Sequence, residues 1–241
     1  MTDTLARDLV AHLAQSRDEL ADPSVSDEAI AASLAEMVGQ NDYPCLGARS
    51  VFRRDTAEIA VLSSMAGEDV ESLGERLRAF ATEHEGSPEL ASFLAVFRDP
   101  VPDSEAGFEA ALWSVLRQLH QRDDVPWAAD VASDPSDPRF AFSFAGTPYF
   151  IVGLHPAASR IARRAPLPTI VFNLHRQFER LREDGTFGRM RTAIRRRDER
   201  LQGSVNPVVD DYGSASAARQ YSGRAVEEGW RAPWPAEGTD S

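Results

Sequence analysis

Three of the five histidines lie where a side chain could carry chemistry. His120 follows Leu116 by four residues and Trp113 by seven, and this spacing predicts a place on the buried face of a helix. His155 and His175 each follow an apolar run typical of a strand, and functional side chains are frequent where strands end. At each position an ordinary core, cap or surface histidine is the alternative interpretation.

His120 also has the sequence context of a haem ligand, because a helix would present it to an apolar pocket. Asp123 or Asp124 follows within about one turn and could accept the second ring N–H, which would make the imidazole a stronger ligand. The residues alone leave both interpretations of His120 open.

A cluster of arginines follows His155 and consists of Arg160, Arg163 and Arg164. A guanidinium can bind a carboxylate through two parallel hydrogen bonds. The cluster could therefore hold the propionates of a haem or the carboxylate of an amino-acid substrate. A solvated loop edge is the alternative.

The chain has a single cysteine, Cys45, so an intrachain disulfide and a metal cage of several cysteines are both excluded. Cys45 follows Pro44 and is a buried apolar residue, a nucleophile or a thiolate ligand. All 26 basic residues are arginine, which excludes Schiff-base chemistry and the lysine of a Walker phosphate loop. The Gly-x-Ser-x-Gly and His-Glu-x-x-His motifs are also missing from the sequence.

The net charge of −12 argues against nucleic acid or an anionic membrane as the main partner. Residues 157–200 are the exception, with twelve arginines against five acids. The arginine run over 189–200 is interrupted by Asp198 and Glu199 and has no interleaved aromatic residues, so it is interpreted as a solvated helix face. No apolar run reaches the roughly 20 residues of a membrane helix, and a cytoplasmic protein is expected.

Hydrophobic periodicity predicts the elements that must position these residues. Helices are predicted within residues 1–40, where a first stretch over 5–13 precedes one that begins at 26–28, and over 68–83, 88–97, 104–121, 175–184 and 186–201. Strands are predicted over 58–62 and 169–174, with a hairpin over 140–152. This order indicates an α+β fold, helical in its N-terminal half, with a small, mainly antiparallel sheet in a single domain over 1–241 and a frayed tail over 236–241.

Six short segments between about Asp42 and Trp234 share one resemblance. They are Tyr43-Pro44-Cys45; Leu119-His120; Phe142-Ser143-Phe144-Ala145-Gly146; Val152-Gly153-Leu154-His155-Pro156 with Ser159-Arg160; Ile170-Val171-Phe172-Asn173-Leu174-His175 with Gln177-Phe178-Glu179; and Asn206-Pro207 with Arg219-Gln220-Tyr221-Ser222-Gly223. Together they resemble the YqcI/YcgG family, except that Tyr43 stands where a phenylalanine is expected.

The resemblance implies a haem-dependent monooxygenase that N-hydroxylates the guanidino group of an arginine-like amino acid. Members of the family with an assigned activity act in this way, including the enzyme that opens guanitoxin biosynthesis. The implied partners are a small guanidino amino acid, molecular oxygen and an electron donor. The implied cofactor is a non-covalent haem b, since the sequence has no Cys-x-x-Cys-His attachment motif. A haem-binding or haem-sensing protein without turnover is the alternative.

The axial ligand implied by the resemblance has three candidates, in the order His120, His155 and Cys45. A thiolate from Cys45 would also favour O–O cleavage. Asp123 or Asp124 is expected to act in catalysis, either by polarising the axial histidine or by orienting the guanidinium.

The remaining expected site residues bind the cofactor periphery and the substrate. Arg160 and Arg164 are expected to hold the haem propionates. Arg163 and His175 are expected to bind the substrate.

Overall fold

The architecture comes from a computed structural model that describes residues 13, 16, 19–20, 22, 24–41, 43–183, 185–204 and 216–234. Most of the first predicted helix, over 5–13, and the predicted frayed tail lie outside the described residues. Six α-helices can be assigned in the described part of the chain: α1 Asp27–Gly39, α2 Leu46–Arg53, α3 Glu68–Glu83, α4 Glu105–Gln121, α5 His175–Glu183 and α6 Thr186–Gln202.

Five strands form one sheet: β1 Ala57–Ser64, β2 Ser92–Asp99, β3 Phe142–Phe144, β4 Thr147–Leu154 and β5 Thr169–Leu174. Their order in the sheet is β1-β2-β5-β4-β3. β1 and β2 run parallel, which requires a crossover that α3 supplies, and the other three pairings are antiparallel. The predicted α+β class with a mainly antiparallel sheet is confirmed.

The helix predicted over 88–97 is wrong, because this segment contains most of strand β2. Residues Ser92 to Phe97 are all buried, since β2 lies between two neighbouring strands and both of its faces are covered. A strand that is buried on both faces has a continuous apolar run and lacks the alternation that marks a strand. Periodicity therefore could not separate the two elements at this position.

Side chains alternate across the sheet and divide its surroundings into two cores. The closed face carries Phe93, Ala95 and Phe172 and packs against α3 and α4. The open face carries Leu94 and Val171, and Ile30, Leu34 and Met37 of α1 belong to the same cluster. Among the described helices none is long and apolar enough to cross a membrane.

Candidate functional site

A cavity of about 300 Å³ lies on the open face of the sheet, within the size range of small-molecule sites. Apolar side chains from the sheet and from four helices form most of its wall. They include Leu34 and Met37 of α1, Ala48, Val51 and Phe52 of α2, Val152, Leu154 and Val171 of the sheet, Phe178 of α5, and Phe187, Met190 and Ile194 of α6. The space therefore suits a large apolar ligand.

Cys45 lies in the wall of this cavity at the N-terminus of α2. Its backbone is extended, as expected for a residue that ends a Tyr-Pro-Cys segment before a helix, and its Sγ accepts the backbone N–H of Ala48 at 3.4 Å. The helix N-terminus carries a partial positive charge. The sulfur is thus held at a fixed point of the cavity, in a place that favours a negatively charged ligand atom.

Arg163 brings a partly buried guanidinium to the same wall. Its Nη1 donates to the carbonyl oxygen of Gly153 at 3.2 Å. Burial lowers the pKa of Arg163, and the neighbouring Tyr43, Cys45 and Asp198 oppose this change. The sulfur, the guanidinium and the carboxylate therefore lie close enough to interact.

Asp198 is the one carboxylate among the described residues of the cavity wall. The residue is only 6% exposed, and its Oδ2 accepts a hydrogen bond from Arg160. Arg160 also donates to the carbonyl oxygen of Ser204 at 3.0 Å, so the carboxylate is held from behind. Within the described structure its Oδ1 has no hydrogen-bond partner.

Four other arginines, two from the predicted cluster and two from the cavity wall, have different places. Arg160 pairs with Asp198 and does not line the cavity, and the Nε of Arg164 donates to the carbonyl oxygen of Ala158 at 2.8 Å. Arg182 and Arg191 do line it, although neither was expected to belong to the site. Of the predicted arginines, only Arg163 is part of the cavity wall.

The structure corrects the expectation that His120 is buried. His120 is exposed in the last turn of α4, with its ring 5.5 Å from that of Trp127 and 5.3 Å from that of Trp234. The buried arc of the helix ends at Leu119, so the apolar spacing does not extend to the next residue. His120 lies on the closed face of the sheet and away from the cavity.

His155 also belongs to the closed face. Its ring is 1% exposed and stacks on Phe108 with the centroids 4.4 Å apart. Neither ring nitrogen has a hydrogen-bond partner within the described structure. Burial lowers the pKa of His155 to about 4, and Glu105 opposes the change, so the ring is neutral at neutral pH.

His175 begins α5 and is buried outside the cavity wall, with Nε2 3.5 Å from Oε1 of Glu179. Burial lowers the pKa of His175, and Glu179 opposes the change. This expected substrate-binding residue is therefore not part of the cavity wall.

The two predicted catalytic acids lie at the opposite side of the sheet. Asp123 pairs with Arg78 at 3.3 Å and accepts the backbone N–H of Ala145 at 2.6 Å, whereas Asp124 is exposed and 3.4 Å from Arg78. Ala145 has a positive φ of 52°, so Asp123 supports a strained turn. Neither acid reaches the cavity, because both follow α4 on the closed face.

A profile of the YqcI/YcgG family matches residues 34–235. The chain belongs to the YqcI/YcgG family. Relatives include the Bacillus subtilis (strain 168) protein named "Uncharacterized protein YqcI", 28% identical over 190 residues that cover 75% of each chain. No solved structure matches the chain significantly.

A relative from Streptomyces lavendulae has a name that states an activity. It is "Putative N(omega)-hydroxy-L-arginine synthase DcsA", 27% identical over 210 residues that cover 83% of this chain and 79% of that protein.

The YqcI/YcgG segments divide between the two faces of the sheet. Tyr43-Pro44-Cys45 forms part of the cavity, whereas Gly153 serves the packing of the closed face. A Cβ at Gly153 would lie 2.6 Å from the ring of Phe108 and 2.8 Å from the carbonyl oxygen of Tyr221. Only glycine at this position lets α4 and the backbone at Tyr221 approach β4 so closely.

Asp198 is the functional candidate that the sequence interpretation missed. It lies in the arginine run that was taken as a solvated helix face, but Met190, Ile194 and Asp198 follow one another by four residues and all line the cavity. That spacing was the available indication that one face of α6 is buried. The predicted solvated face fits the exposed Arg189, Arg196 and Arg200, whereas Arg191 lines the cavity.

Proposed function

We propose that this YqcI/YcgG protein is a haem-dependent monooxygenase that N-hydroxylates the guanidino group of an arginine-like amino acid. The observation that carries the proposal is the apolar cavity with a cysteine sulfur and a partly buried guanidinium in one wall. The name of the Streptomyces lavendulae relative, which states synthesis of N(omega)-hydroxy-L-arginine, supports the reaction class and the substrate class.

The residues of the cavity fit a haem. The porphyrin faces need apolar walls, the iron needs a soft or nitrogenous ligand, and the propionates need cations. The cavity wall offers apolar side chains, the sulfur of Cys45, and the guanidinium groups of Arg163, Arg182 and Arg191. Cys45 would hold the iron, because it lines the cavity and His120 and His155 do not.

Each part of the wall then has a task for which its chemistry is suited. The N-terminus of α2 and the charge of Arg163 stabilise a negative sulfur ligand. Arg163, or an arginine at the cavity edge, can bind a carboxylate of the substrate or of the cofactor. The apolar walls exclude water and fix the guanidino nitrogen in one orientation. When bound, haem supplies the oxygen activation that no side chain can provide.

The electron donor and molecular oxygen are further partners under this proposal. Hydroxylation of one nitrogen uses one molecule of oxygen, two electrons and two protons, and releases one water. Turnover therefore has to depend on an added reductant.

The test begins with protein expressed with ample haem precursor. We expect a red protein with a Soret band, a haem-to-chain ratio near one, and the mass of the bare chain after denaturation. Its reduced, carbon-monoxide-bound Soret band should lie strongly to the red of an imidazole-ligated one. A colourless protein would contradict the cofactor.

The activity is tested separately from the cofactor. With a reductant, consumption of oxygen should require L-arginine or a similar guanidino amino acid, and the product should be heavier by one oxygen atom. A red protein that consumes no oxygen with any such compound would support the alternative of haem binding without turnover.

A further inference from the structure

Asp198 stands apart from the other buried acids because one of its oxygens is unused. Its Oδ2 is held by Arg160, and its Oδ1 is buried without a hydrogen-bond partner in the described structure. The same residue lines the cavity beside Met190 and Ile194. A buried carboxylate oxygen without a donor is costly, and in a native fold such an atom calls for an explanation, a functional role being one.

The wall also carries Arg163, Arg182 and Arg191, which the proposed function assigns to carboxylates of the cofactor and the substrate, so a cationic head group needs an acid of its own. A protonated guanidinium in an apolar cavity needs a carboxylate partner, since an unpaired buried cation costs several kcal/mol as a general estimate. Asp198 is the one carboxylate among the described residues of the wall. The acids expected to do this, Asp123 and Asp124, are on the other face of the sheet.

We infer that Oδ1 of Asp198 accepts hydrogen bonds from the cationic guanidino head of the substrate and thereby selects it over neutral amino acids. This inference rests on the proposed function. Arg160 acts as a positioning residue, since its bond to Oδ2 fixes the plane of the carboxylate. Asp198 and Cys45 line the same cavity, so a head group bound at Asp198 would share that space with the sulfur.

The competing interpretation is a purely structural pair between Asp198 and Arg160. Such a pair would stabilise the fold without distinguishing one ligand from another. A pair of ligands of equal shape and different charge therefore separates the two interpretations. L-arginine and L-citrulline form that pair, because the ureido group of citrulline is a neutral isostere of the guanidinium.

The experiment is a titration of the haem-loaded protein with each ligand, followed by calorimetry and by the change in the Soret band. The wild-type protein should bind L-arginine about tenfold or more tightly than L-citrulline. Asp198→Asn should weaken the binding of L-arginine by about tenfold to a hundredfold and that of L-citrulline by less than about threefold. Asp198→Glu should restore part of the preference.

The matched control is Glu199→Gln, which removes one negative charge from the neighbouring, exposed position of α6. It should change neither affinity by more than about twofold. If Asp198→Asn does not fold, the double variant Arg160→Gln with Asp198→Asn leaves no unpaired guanidinium, and the same loss of preference is expected.

The outcomes distinguish a failure of the inference about Asp198 from a failure of the proposed function. If the wild-type protein prefers L-arginine and Asp198→Asn keeps that preference, the inference is overturned and the proposed function stands. If the wild-type protein binds haem but no guanidino compound, the proposed substrate class fails, and the inference fails with it.

Discussion

The two faces of the sheet use the same strands and differ in how they are filled. On the closed face, aromatic rings occupy the space: Trp113 contacts Tyr221, Trp230 and Trp234, with centroids 5.6 to 6.4 Å apart. On the open face the corresponding positions carry smaller side chains such as Val152 and Val171, and a cavity remains. Residues of successive strand positions thus belong to a solid core and to a candidate site.

This difference separates the histidine candidates from the cavity. His120 and His155 lie among the aromatic rings of the closed face, where each makes a ring contact. Cys45 and Asp198 lie where the packing is incomplete. Of these four side chains, only Cys45 and Asp198 line the cavity of the open face.

The largest expected effect is on haem content, which should depend on a residue of the open face and not on one of the closed face. Cys45→Ala should abolish the Soret band of the purified protein, because it removes the sulfur from the cavity wall, whereas His120→Ala should keep a full haem-to-chain ratio. Absorption spectra of both variants, together with far-ultraviolet dichroism to verify folding, provide the measurement. Loss of haem from His120→Ala with full haem in Cys45→Ala would show that the iron ligand lies on the closed face.

A second pair of variants compares adjacent residues of β5. Phe172→Ala on the closed face should lower the free energy of unfolding by about 3–5 kcal/mol, because the large cavity it creates cannot collapse. Val171→Ala should cost only about 1 kcal/mol, since its side chain already borders empty space. Urea unfolding measures both values. Equal losses would show that the open face is packed as tightly as the closed one.

The third prediction concerns the pH dependence of the closed face. The folded protein holds the pKa of His155 at about 4, against 6.5 for an ordinary histidine, so only the unfolded chain takes up this proton between those values. The stability contribution of the neutral ring is complete above about pH 6.5 and is lost as the pH falls towards about 4. It amounts to at most about 3 kcal/mol.

His155→Phe keeps a planar ring against Phe108 and removes the titration. Thermal unfolding between pH 7 and pH 4 should therefore give a shallower slope for the variant than for the wild-type protein. Parallel slopes would show that His155 is protonated in the folded state as easily as in the unfolded state.

The smallest expected effects separate the two neighbouring acids of the closed face. Asp123→Asn should cost about 1–3 kcal/mol, because the buried carboxylate supports the turn at Ala145. Asp124→Asn should change stability by less than about 0.5 kcal/mol, because its side chain is 89% exposed. Neither variant should alter haem content, and a loss in either would connect this face to the cavity.

Elements that depend on local sequence were predictable. The helix predicted over 104–121 is α4, Glu105–Gln121, since its apolar spacing extends over many turns and Ser104 caps its first turn by accepting the N–H of Gly107 at 3.2 Å. The hairpin of β3 and β4 follows from the alternating phenylalanines and the turn at Gly146, which has a positive φ of 69°.

The composition of the site depended on contacts that the sequence does not display. The carboxylate of Asp198 is held in place by Arg160, which lies 38 positions earlier in the chain. Cys45 was recognised as a possible ligand, but nothing near it in the sequence shows that it faces empty space. His120 stood first among the ligand candidates because helical spacing is a local property of the sequence. The cavity, in contrast, is formed by segments that are distant from one another in the chain.

The close approach at Gly153 has a consequence for the time course of folding. Its backbone N–H donates to the carbonyl oxygen of Tyr221, and Arg224 pairs with Glu109 across 115 positions of the chain. Loops of this length close slowly, because the chain loses conformational entropy before the contacts at its ends form. During synthesis on the ribosome, α4 would emerge before the segment over 216–234. Until that segment is made, the aromatic side chains of α4 that it covers would stay exposed. Chaperones that bind exposed aromatic surfaces could bind α4 during that interval.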